Sequence, residues 1–70
     1  MPTAVVHVGE NLKRLRTLRA LTQAEVAERA GVTTATVARA ERDELEPRMT
    51  TLRKLAAALE VDPAELVRGE

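Results

Sequence analysis

No aromatic residue and no cysteine occurs anywhere in this chain of 70 residues, so any interior it builds is aliphatic and no disulfide can staple it. With one histidine and no thiolate, no zinc constellation is available either, and no cofactor motif is read. A single core of this size contributes only about 3–5 kcal/mol. Stability must therefore come from closely packed helices or from a partner subunit. Apolar residues make up 44% and charged residues 31%, too hydrophobic for a disordered chain and too interspersed for a charged tail. The longest uncharged apolar stretch, Ala4 to Val8, is far too short to cross a membrane, and the N-terminus lacks the basic and apolar regions of a secretory signal. A cytoplasmic location is expected.

Eleven basic and eleven acidic residues cancel, yet they are not evenly placed. Residues 1–42 carry seven bases against four acids, a net +3, and residues 43–70 carry four bases against seven acids, a net −3. The first half is basic and the second acidic.

Periodicity predicts five short helices and an all-α fold. Val8, Leu12, Leu15 and Arg19 form a stripe on the first helix, to about Ala20, with Lys13 and Arg14 facing out. Thr22-Gln23-Ala24-Glu25 spells a capping box that opens the second helix, whose inward positions Val26, Ala27 and Ala30 are small enough for a close neighbour. Gly31 ends it in a left-handed turn, and Thr33 caps a third helix over about 34–42. That helix turns Val37, Ala40 and Glu41 inward and Ala35, Ala38, Arg39 and Arg42 outward. After a loop through Pro47, Leu52, Leu55, Ala56 and Leu59 mark a fourth helix capped at Thr50 or slightly earlier. Asp62-Pro63-Ala64-Glu65 starts a short fifth. Residues 1–8 are read as an N-terminal arm, frayed or pairing as a strand with a second chain through its β-branched valines. Residues 9–68 form the domain, and His7 is read as solvated.

Two helices of about eight residues joined through Gly31 have the geometry of a DNA-binding helix-turn-helix. The run from Leu21 to Val32, followed by Thr33 to Arg42, resembles the phage repressor and Cro-type (Xre-like) helix-turn-helix family, and the similarity continues through Pro47 and 51–61 to Leu66. The resemblance implies a compact five-helix bundle of the lambda-repressor-like type with the motif at helices 2 and 3. It implies sequence-specific binding of double-stranded DNA by a small transcriptional regulator, a dimeric repressor.

By that resemblance Gln23 holds a DNA phosphate with its side chain and backbone amide, at a helix end whose unpaired amides and dipole favour an anion. Thr34, Ala35 and Arg39 match positions that meet base edges in the major groove. Thr33 and Thr36 lie beside the backbone, where they also serve as caps, and Arg42 and Arg48 are further DNA-facing bases. Arg16 and Glu41 match a structural ion pair tying helix 1 to helix 3.

The chain departs from the family pattern in two places. Ala20 stands where glycine is common, so the turn into Leu21 must use a non-glycine conformation or carry about 1 kcal/mol of strain. The loop reads Asp43-Glu44-Leu45-Glu46, with Arg48 after Pro47, where relatives carry glycine and several bases. Carboxylates beside a phosphate backbone repel it, unless Arg42 and Arg48 pair with them. Each missing phosphate contact also lowers the salt slope by about 0.9.

One recognition helix binds weakly, so a homodimer on half-sites about one helical turn apart is expected. The surfaces offered for it are the helix 4–5 region around Leu66 and Val67, and the N-terminal arm. A protein-interaction module that keeps this fold but binds a partner protein is the alternative, supported by the acidic loop and zero net charge. An enzyme is rejected: there is no second His, no Cys, no glycine-rich phosphate loop and no inward carboxylate pair. The apolar face of basic helix 1 is needed by the core, which leaves no membrane-surface role.

Overall fold

In a computed structural model the described residues are 8–67, which form α1 (Val8–Leu18), α2 (Gln23–Ala30), α3 (Thr34–Glu41), α4 (Met49–Leu59) and α5 (Ala64–Val67). His7 and the arm to residue 7, with its strand-pairing expectation, lie outside the described residues.

Each helix is too short to persist alone; caps and a shared core hold them. Leu12, Leu55, Leu59, Leu66, Val26 and Val37 are sealed from solvent, and burying each contributes about 1.5–3 kcal/mol. The core joins α1 to α3 and α5, and α2 to α3 and α4. Small residues Ala27, Ala30, Ala40 and Ala56 fill it where helices approach.

The capping box forms as the sequence predicts: Thr22 Oγ1 accepts from the Glu25 amide at 3.0 Å, and the Glu25 carboxylate accepts from the Thr22 amide at 2.8 Å. Gly31 is left-handed at φ 74°. The Asp62 carboxylate accepts from the Ala64 amide at 2.9 Å, starting α5. Ala20 sits at φ 57°, the non-glycine left-handed turn its position demands. Because Ala20 turns there, α1 stops at Leu18, two residues earlier than periodicity suggests.

Leu66 is a correction. Offered as part of a dimerisation surface, it is fully buried; the four-residue α5 exists to drive it into the core, and only Val67 beside it is exposed. A second long-range tie fixes α5: Asn11, buried on α1, donates Nδ2–H to the Leu66 carbonyl at 3.0 Å.

Candidate nucleic-acid interface

The outer side of α3 presents Thr34, Ala35 and Arg39, all exposed, while Thr36 and Ala38 are half-buried beside them. Val37 and Ala40 anchor the helix to the core, so its length and orientation are set from behind. At its start Thr33 Oγ1 accepts from the Thr36 amide at 3.1 Å and lies 2.9 Å from Thr36 Oγ1. The two hydroxyls are thus spent on the helix end, while Thr34 takes no part in these bonds and is exposed.

Beside α3 stands the N-terminus of α2. Thr22 takes the amide of Glu25 and its carbonyl takes that of Val26, which leaves Gln23 and Ala24, the first two amides, without partners inside the helix. These amides and the positive dipole end make a place for an anion. The Gln23 side chain is half-buried and donates Nε2–H to Glu41 Oε1 at 3.0 Å.

Glu41 is the hub of this corner. Arg16 grips it with both nitrogens of a fork, Nε to Oε2 at 2.5 Å and Nη2 to Oε1 at 3.1 Å, and donates Nη1–H to the Leu21 carbonyl at 2.9 Å. The side chains retain 16% and 4% of their exposure, so the pair ties α1 to α3 and to the turn before α2. The hydrogen bond to Glu41 holds the Arg16 guanidinium above its usual pKa against the opposing effect of burial.

The acidic loop is partly spent within the molecule. Asp43, left-handed at φ 56°, turns its carboxylate back to accept from the Gly9 amide at 3.1 Å. Glu44 is held by Arg42 through two hydrogen bonds of 2.9 and 3.0 Å. Those bonds, with the charges of Arg42 and Arg39, keep the Glu44 carboxyl below the ordinary carboxylate range. Arg42, offered to DNA by the sequence, is therefore engaged at this loop, and an incoming phosphate has to displace Glu44. Arg48 is exposed at the start of α4 and gives it no side-chain cap.

Sequence reasoning missed Gly9. A Cβ there would lie 2.6 Å from the Glu41 carbonyl, 2.8 Å from that of Ala40 and 2.8 Å from the Asp43 carboxylate, so only glycine lets α1 approach the end of α3 this closely. A glycine inside an otherwise helical stripe was the available signal. Arg19, placed on the α1 stripe, also has an unforeseen role: its Nε donates to the Leu59 carbonyl, capping the end of α4.

Comparison with known proteins agrees with this geometry. A family model described as helix-turn-helix matches residues 12–66. The chain is 36% identical over 63 residues to an immunity repressor protein of Bacillus phage phi105, aligning 90% of its own length with 44% of that protein's. It is 43% identical over 60 residues to an uncharacterised HTH-type transcriptional regulator of Sinorhizobium fredii, covering 86% of this chain and 78% of the other. Among solved structures, the P22 c2 repressor in complex with a synthetic operator superposes with a TM-score of 0.84 at 29% identity, over 94% of this chain and all of that one. The chain thus spans less than half of the phi105 repressor but the whole of the P22 repressor structure.

Proposed function

The chain belongs to the helix-turn-helix family, and from that premise we propose that it binds double-stranded DNA in a sequence-specific manner as a small dimeric transcriptional repressor. The observation that carries this reading is the juxtaposition of an exposed α3 side, with Thr34, Ala35 and Arg39, and the open amides of Gln23 and Ala24 at the start of α2. Amides and dipole hold a phosphate, which sets the register. Thr34 and Ala35 pack on thymine methyls or bond to a base edge, and Arg39 forks onto guanine or a neighbouring phosphate. Thr33 and Thr36 flank the backbone, while Arg42 and Arg48 add positive charge at the loop.

Two copies on half-sites about one helical turn apart supply the affinity that one recognition helix lacks. With Leu66 inside the core, the α4–α5 side meets the second copy through exposed residues such as Val67. The engagement of Asp43 and Glu44 inside the molecule supports DNA over a protein partner for this surface, since less free negative charge faces outward. Binding still depends less steeply on salt than in relatives with a basic loop, by about 0.9 in slope for each phosphate contact not made.

Selection of bound sites from random duplexes tests the proposal. An enriched inverted repeat with half-site centres about 10 base pairs apart is the expected outcome. Absence of any enriched sequence at low ionic strength would refute it.

A further inference from the structure

We propose that Glu41 is a positioning residue for phosphate recognition: clamped by Arg16, its carboxylate fixes the Gln23 side-chain amide so that one N–H is held inward and the second is aimed out beside the α2 amides. The inference rests on the reading of Gln23 as a phosphate contact and adds to it the device that prepares that contact.

A carboxylate only accepts hydrogen bonds. Glu41 Oε1 lies 3.0 Å from Gln23 Nε2, and the amide oxygen in that place would put two acceptors together. Glu41 thus selects one of the two orientations of the amide. The nitrogen carries two hydrogens about 120° apart in the amide plane. With one committed to Glu41, the other is left for a further acceptor, which in this proposal is the phosphate held by the amides of Gln23 and Ala24.

The placement of Glu41 is otherwise unfavourable. It is the last residue of α3, where the negative end of the helix dipole opposes a carboxylate. Three donors, two from Arg16 and one from Gln23, offset that cost. Arg16 also neutralises a negative charge that would repel a phosphate at this corner. An unconstrained glutamine loses rotamer freedom when it captures a ligand; in this site the loss is already incurred in the folded protein.

The test is a double-mutant cycle in the full chain, at one fixed salt concentration, on the duplex enriched by the selection above. Gln23→Ala weakens binding about tenfold, the size of one charge-assisted hydrogen bond. Glu41→Gln weakens it by about threefold or more, even though the added unit of positive charge alone would strengthen attraction to DNA. The double variant binds no worse than Gln23→Ala alone, because the second change has nothing left to orient. Glu41→Gln binding as tightly as wild type or tighter while folded, or effects that simply add, overturns the inference and leaves the phosphate contact standing. Unchanged binding by Gln23→Ala removes the side-chain contact to phosphate, and the inference with it.

Where Glu41→Gln does not fold, the wild-type protein decides. Gln23 and Asn11 are the chain's only side-chain amides, so its nitrogen-15 spectrum contains two such pairs, with buried Asn11 as a rigid internal standard. Without DNA, the Gln23 amide relaxes like that of Asn11. An order parameter below about 0.6, the flexible range, contradicts preorganisation.

Discussion

The N-termini of α1 and α2 face the same physical problem and solve it differently. Both leave early amides without partners inside the helix. At α1 the chain supplies its own anion: Asp43 reaches across from the loop after α3 to the Gly9 amide, and the backbone of α3 packs against the glycine so tightly that no side chain fits. At α2 the box formed by Thr22 and Glu25 is local and lies in solvent. The first two amides stay open to an external partner. One terminus has been absorbed into the fold; the other has been kept available. A helix start stays available to an external partner when no part of the same chain fills it.

Gly9→Ala should break the closed end most severely. In an unobstructed helix the change would stabilise by about 1 kcal/mol; here the added methyl meets two carbonyls and a carboxylate, and a net loss of about 2 kcal/mol is expected. Thermal unfolding would show a drop of about 8–16 °C, and an unchanged or higher midpoint would mean that the approach of α1 to α3 is looser than described. Thr22→Ala attacks the open end and should remove about 1 kcal/mol, measured by urea unfolding with no change in m-value. Because Thr22 is exposed and local, the remaining helices should keep their far-ultraviolet signature.

Glu60→Gly addresses the opposite pole of a helix. Glu60 follows α4 at φ 59°, a conformation glycine reaches without the penalty from Cβ, so a gain of about 0.5–1 kcal/mol is expected. A loss in the same urea assay would show that the side chain makes a contribution larger than its backbone strain.

Acid titration gives the smallest effect. Hydrogen bonds from Thr22 hold Glu25 below the ordinary carboxylate value of 4.5, and Arg42 does the same for Glu44. Groups with lower pKa in the folded than in the unfolded chain stabilise fully above the unfolded value and lose that contribution as pH falls through the folded one. Melting temperature should therefore hold steady near neutrality and decline below about pH 4.5, more shallowly in Glu25→Gln and Glu44→Gln. Both groups are exposed, so each change is modest, and added salt should shrink the Glu44 share more than the Glu25 share. A midpoint that rises on acidification would contradict the assignment.

What the sequence disclosed follows from distance along the chain. The capping box, the turn at Gly31 and the stripe of Leu52, Leu55 and Leu59 are written within a few residues and were legible as such. The Arg16–Glu41 pair became legible through family resemblance, since a separation of 25 residues leaves no local trace of it. Gly9 with Asp43, Asn11 with Leu66 and Arg19 with Leu59 are separated by 34, 55 and 40 residues. Each depends on how helices meet, which periodicity does not specify. The same limit applied at the interface. Gln23, Thr34, Ala35 and Arg39 could be placed on their helices, but the tie from Gln23 to Glu41 appears only once α2 and α3 are packed. Leu66 was misread because a four-residue helix is too short for a stripe to reveal its inner face.

That final helix also shapes how the molecule comes apart. Four residues cannot nucleate a helix by themselves, so α5 survives only while Leu66 sits among the residues of α1 and α4. Its amide, bonded to the Pro63 carbonyl at 3.0 Å, is shielded for as long as that seat is occupied. Deuterium uptake at Leu66 therefore reports release of the chain's closing segment, the event that uncovers Asn11 and opens the centre to solvent.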